Sequence, residues 1–103
     1  MEDEGFLRAL IDLFLNDMPR QIELLRQAVE AQDRHAVRRS AHRLRGAGAH
    51  LGAEPFSDLC HTLEQLGRQG NLEQAPALLR DMEIEFSRLQ DFLTRLPDKG
   101  SAR

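Results

Sequence analysis

Tryptophan and tyrosine are absent from this 103-residue chain, cysteine occurs once, and no uninterrupted apolar run is longer than Leu13 to Leu15. Runs that short exclude a membrane-spanning helix, which needs about 20 consecutive apolar residues. The lone Cys60 excludes an internal disulfide and suits a reducing compartment, so a cytoplasmic location is expected. Glu2, Asp3 and Glu4 occupy the place of the basic region that opens a secretory signal, so none is expected. Without Trp or Tyr, and with a net charge of −3, the chain has neither a stacking platform nor bulk attraction for nucleic acid. The Gly46 to Gly52 spacing does not match a glycine-rich nucleotide loop.

What is present is an ordinary soluble composition, 41% apolar and 30% charged, with enough length for one domain and one core. Apolar residues recur at steps of three and four almost throughout, and nothing alternates like a strand. A first helix is predicted from about Asp3 to Ala31, with the stripe Leu7, Ile11, Phe14, Met18, Ile22, Leu25 and Val29. Phe6, Leu10 and Leu13 widen that stripe in its first half. Pro19 predicts a kink or brief break near Met18. A second helix is predicted between Asp33, as N-cap, and Gly52, at the C-terminal end, with Val37, Ala41, Leu44, Gly48 and Leu51 inward.

A third helix starts at Pro55 and ends by Gly67 to Gly70, with Phe56, Leu59, Leu63 and Leu66 inward. The fourth opens at Asn71, with Pro76 delaying its regular start by one turn, and carries Leu72, Ala75, Leu79, Met82, Phe86, Leu89, Leu93 and Leu96. Four amphipathic helices on short loops predict an all-α fold, an antiparallel four-helix bundle over residues 1–97. Residues 98–103 are expected to form a disordered tail.

The second helix carries the unusual chemistry. From Arg34 to Ala53 there are five arginines (Arg34, Arg38, Arg39, Arg43 and Arg45) and no acid, a basic face on an acidic body. On a wheel of about 100° per residue, His42 points away from the core stripe, with His35, Arg38, Arg39, Arg45, Gly46 and Ala49 within about 60° of it. Gly48 lies on the core stripe and lets a neighbouring helix approach. Gly46 faces solvent one turn beyond His42, where glycine costs about 1 kcal/mol relative to alanine. Access to the imidazole explains that cost, since a bulky side chain there would block a partner's active site.

An imidazole suits reversible phosphoryl transfer, because its neutral nitrogen is a good nucleophile and its protonated form a good leaving group. Nearby guanidinium groups offset the phosphate charge. One ring nitrogen attacks, so another group must hold the second, and Glu64, one position past core residue Leu63, is the candidate acceptor. A metal site built from His42, His50, Cys60 and His61 is not expected. His42 and His50 stand about 80° apart around the helix, and Cys60 and His61 point in different directions.

The run Ala41-His42-Arg43-Leu44-Arg45-Gly46, followed by Leu51-Gly52-Ala53 and by Leu59-Cys60-His61-Thr62-Leu63-Glu64, resembles the histidine-phosphotransfer (HPt) domains of bacterial two-component phosphorelays. Phe6 to Pro19 is similar to that family's helix ahead of the motif, so the likeness spans nearly the whole chain. The resemblance implies a phosphorelay intermediate in which His42 is phosphorylated, Glu64 hydrogen-bonds its ring, Arg45 assists with the phosphate and Gly46 clears space. Arg38, Arg39, Arg43 and Ala49 complete the expected binding face. The implied partners are receiver domains, of a hybrid sensor kinase or a response regulator, which supply the aspartate and the magnesium; the resemblance also implies a carrier that needs no cofactor, binds no ATP and has no autokinase activity.

Three departures from the family pattern stand out. Arginine at 45 replaces the usual lysine, and a planar fork holds phosphate differently from a point charge. His50 stands where the family often has a small polar residue. The family's short N-terminal helix is missing, which would leave Phe6, Leu10 and Leu13 partly uncovered. The chain is accordingly expected to be a fragment of a longer hybrid sensor kinase, with Met1 an added start. A monomer is expected, with a dimer through the Phe6–Leu13 surface as the alternative. The competing function is a non-catalytic module that docks on receivers without carrying phosphate, for which His42 would be dispensable.

Overall fold

The computed structural model describes the backbone of residues 2–95 and the side chains of residues 5–95. Leu96 and the tail expected over 98–103 lie outside the described residues. Four α-helices follow one another, α1 (Glu2–Glu30), α2 (Arg34–His50), α3 (Glu54–Gln69) and α4 (Ala75–Arg95), and the described residues contain no strand. Each helix packs against its two neighbours around the ring, and α2–α3 is the most extensive seam. The fold is the expected antiparallel four-helix bundle.

The bundle forms because the stripes meet. Met18, Ile22, Leu25 and Val29 of α1, Val37, Ala41 and Leu44 of α2, Phe56, Cys60 and Leu63 of α3, and Leu79, Met82 and Phe86 of α4 form one buried cluster. Leu51, Leu59, Leu66, Leu72 and Leu89 are half-buried against it. Leu7 was expected in the stripe of α1, but it is 55% exposed, as Phe6 and Leu13 also are at 69% and 61%. The reason is length. The 29 residues of α1 span about 43 Å, against 17 residues for α2. His50, at the end of α2, already lies beside Phe14, so the turns of α1 before Phe14 run on past α2. Ile11 is nevertheless buried, and Leu10 is half-buried.

Pro19 lies inside α1 without ending it, so of the kink or brief break expected near Met18 the break does not occur. A mid-helix proline costs about 3 kcal/mol. It is tolerated here because Pro19 is exposed, where water can replace the missing donor, while Met18 and Ile22 on either side are buried and hold the helix to the core.

Three helices end with the same paired hydrogen bonds, in which the chain turns through a left-handed residue. After α2, Gly52 has φ 70° and the Ala53 amide donates to the Gly48 carbonyl; after α3, Gly70 has φ 80° and Asn71 donates to Leu66. After α1 the left-handed position is Gln32, at φ 55°, with Asp33 donating to Ala28. The Asp33 carboxylate then accepts from the Ala36 amide at 3.1 Å and starts α2, as foreseen. Pro76 sits at the second position of α4, after the predicted one-turn delay.

Cys60 is fully buried, and loss of solvation pushes its thiol up to about 12 from a usual value of 9.0. The thiol is therefore expected to resist iodoacetamide at pH 8 in the folded protein and to react once the bundle is unfolded in denaturant. Its folded value lies above its unfolded one, so its contribution to stability is complete below about pH 9 and is lost as the pH rises towards 12. Equal alkylation rates with and without denaturant would contradict this.

Candidate functional site

The close α2–α3 seam is what brings the site together. A Cβ on Gly67 would lie 2.8 Å from the Arg34 carbonyl oxygen and 2.9 Å from the Arg38 amide nitrogen, so α3 passes directly against the backbone of α2. Gly48 serves the same seam from the other side, where a Cβ would lie 2.8 Å from the Phe56 ring. Gly48 was expected to act this way; Gly67 was expected only to mark a helix end.

Across that seam, one turn from Gly67, sits Glu64. It is 4% exposed, the one buried charged residue among those described. Three groups converge on its carboxylate. Oε2 lies 3.0 Å from Nδ1 of His42 and 3.3 Å from Nη2 of Arg68, and Oε1 lies 3.1 Å from Nε of Arg45. The Arg45 contact is an ion pair without hydrogen-bond alignment, so Oε1 itself has no hydrogen-bond partner. The buried carboxylate is held in place by such company, since two guanidinium groups more than balance its charge.

The tautomer of His42 follows from these distances. An ionised carboxylate can only accept, so Nδ1 carries the hydrogen and donates to Glu64. Nη2 of Arg45 also lies 3.1 Å from Nδ1. With Nδ1 protonated, that approach is a contact between two donors, tolerated because Arg45 is drawn to Glu64. The lone pair then resides on Nε2. The side chain of His42 is 64% exposed, so the ring is open to a partner.

The expected residues fall into groups. Arg38, Arg39, Arg43 and Arg68, with His42 and Glu64, line a cleft of about 440 Å³. Four arginines and a single carboxylate give it a strongly positive field, suited to a phosphoryl group of charge about −2. Arg45 lies on the Glu64 side of the imidazole, and Arg43 donates to Gln21 of α1 at 3.2 Å. Gly46 and Ala49 are exposed on the same helix, and a Cβ on Gly46 would meet no atom within 4 Å.

Two participants were missed by sequence reasoning. Arg68 was one, although it lies four residues after Glu64 on the same helix, the spacing at which helical ion pairs form. His61, expected to be merely solvated, is exposed but has its Nδ1 3.4 Å from Nη1 of Arg45. No group of three metal-ligating side chains occurs among the described residues, and none of their helices is long and apolar enough to cross a membrane.

Two substitutions separate access from orientation. Gly46→Gln is expected to raise the melting temperature slightly, because glycine inside a helix costs about 1 kcal/mol and the site is open. The same change should slow transfer to a partner by about tenfold or more, and transfer at the original rate would contradict the access role. Glu64→Ala should leave His42 competent but slow it by about tenfold, the effect of losing one charge-assisted hydrogen bond. Complete loss of acceptance would mean that Glu64 does more than hold the ring.

A protein-family model described as the Hpt domain matches residues 9–98. Among solved structures, histidine-containing phosphotransfer protein B (HptB) from Pseudomonas aeruginosa PAO1 is similar, with a TM-score of 0.86 and 35% identity over 92% of this chain and 81% of that one. No curated protein matches the chain significantly.

Proposed function

The chain belongs to the Hpt domain family, and on that basis we propose that it is a phosphorelay intermediate carrying its phosphoryl group on Nε2 of His42. The observation that supports this most is the 3.0 Å approach of the buried Glu64 carboxylate to Nδ1, since a carboxylate there calls for a hydrogen on Nδ1 and a lone pair on Nε2.

In the forward step, the Nε2 lone pair attacks the phosphorus of an aspartyl phosphate on a receiver domain. The N–P bond forms as the P–O bond to the aspartate breaks, and the carboxylate leaves. Positive charge develops on the ring during the attack. Glu64, accepting from Nδ1–H, stabilises that charge, while Arg68 and Arg45 keep Glu64 fixed. Arg38 and Arg39 stand in the cleft to meet the phosphate oxygens. Return of the phosphoryl group to a second receiver's aspartate is the reverse of the same step. The chain acts as a carrier and not as a kinase, with magnesium held by the receiver. A single copy supplies every residue named, so a monomer suffices.

The test is incubation with a panel of phosphorylated receiver domains, read by intact mass and by the lability of the adduct. An acid-labile, base-stable gain of one phosphoryl group is expected. Binding to a receiver with no adduct on any member of the panel would replace this reading with that of a docking module.

A further inference from the structure

The two flanks of His42 differ in kind. On the Glu64 side lies the basic cleft. On the other, between α1 and α2, lies a groove of about 370 Å³ whose floor is the core itself, Met18 and Leu44, each 1% exposed. Phosphoryl chemistry has no use for such a surface. The groove opens at Gly46, where no atom stands within 4 Å of a would-be Cβ. His50 closes its far end, with its ring stacked on Phe14 at a centroid distance of 6.4 Å and 22° from parallel.

His42, Gly46 and His50 follow one another at steps of four along α2. His50 therefore lies about 12 Å along the axis from His42, turned about 80° towards α1. A protein interface of usual size covers about 800 Å² on each side, a patch roughly 30 Å across. Any receiver whose aspartate reaches Nε2 of His42 thus covers Gly46 and extends onto His50. An apolar side chain placed over the Met18–Leu44 floor would gain by burial, whereas a charged one would lose hydration there and meet charge only at Asp17 and Arg43, which also line the groove.

Resting on the reading that a receiver domain docks on this face, we propose that the stacked Phe14–His50 pair is the partner-selecting element. It sets the length of an apolar groove beside His42 and so decides which apolar side chain of a docking receiver is accommodated. His50 is a specificity residue in this scheme and takes no part in the transfer. Its ring acts as a wall, so shape is what it contributes, and a receiver presenting an overlong side chain at that point is disfavoured.

The test measures transfer from the phosphorylated chain to a panel of receiver domains, with saturating rate and KM separated, for the wild type, His50→Ala and His50→Phe. Thermal melts check folding, and the lifetime of the phosphorylated form without receiver checks the chemistry. His50→Ala should raise KM for the preferred receiver by about tenfold and improve at least one disfavoured receiver, which reorders the panel. Saturating rates and the phosphoryl lifetime should not change. His50→Phe, which keeps an aromatic wall, should keep the wild-type order. An unchanged order in His50→Ala, an order lost equally in His50→Phe, or a fall in saturating rate at constant KM would each overturn the proposal. If the wild type accepts phosphate from no receiver, the phosphorelay reading falls and this proposal falls with it; an active but unselective wild type removes this proposal alone.

Discussion

His42→Gln is expected to abolish phosphoryl acceptance entirely while leaving the stability of the bundle within about 0.5 kcal/mol of wild type. The two halves of that expectation have separate physical grounds. An amide nitrogen has no lone pair available for attack on phosphorus, so no slower version of the reaction survives the change. The side chain of His42 is 64% exposed and its one partner, Glu64, retains Arg45 and Arg68, so no buried charge is stranded. Glutamine also still offers an N–H donor towards Glu64. Residual labelling of the variant would mean that another histidine (His35, His50 or His61) takes the phosphoryl group. A large fall in melting temperature would mean that the His42–Glu64 contact is structural.

Gly67→Ala should destabilise the bundle by jamming the α2–α3 seam. The added Cβ meets main-chain atoms on the facing helix, the Arg34 carbonyl at 2.8 Å and the Arg38 amide at 2.9 Å, and main chain cannot turn aside as a side chain can. Overpacking of this kind costs about 1–3 kcal/mol, and alanine's better helix propensity returns about 1 kcal/mol of it. A net loss of about 1 kcal/mol corresponds to a melting temperature roughly 5 °C lower for a domain of this size. Gly48→Ala provides the comparison. Its Cβ also arrives at 2.8 Å, but on the edge of the Phe56 ring, which can rotate or shift. It should cost clearly less. Because α2 and α3 carry His42 and Glu64, Gly67→Ala should also slow transfer, whereas an unaltered melting temperature would mean that the seam is looser than these distances indicate.

Much of this molecule is legible in its sequence because its helices announce their ends and faces locally. Asp33 and Gly52 bracket α2, Pro55 opens α3, and stripes at steps of three and four identify the core. Glu64 could be found because a residue next to a core leucine points partly inward, towards α2. What escaped depends on distances between helices. Gly67 looks like punctuation until the Arg34 backbone is seen against it. Leu7 has the right period, but periodicity names a face without saying how far the neighbouring helices extend. Gln32 occupies a left-handed position usually filled by glycine, so the end of α1 is marked in the sequence by its stripe alone. Arg68 needed no such distance, since its spacing from Glu64 is present in the sequence.

The arrangement of the site makes one assignment that a single spectrum can decide. The phosphorylated protein, labelled with nitrogen-15, would be examined by long-range proton–nitrogen correlation in the imidazole ring of His42. With Nδ1–H donating to Glu64, the phosphoryl group is expected on Nε2 and a proton on Nδ1. Phosphorus on Nδ1, or on any residue other than His42, would contradict the roles of both Glu64 and the exposed face of α2.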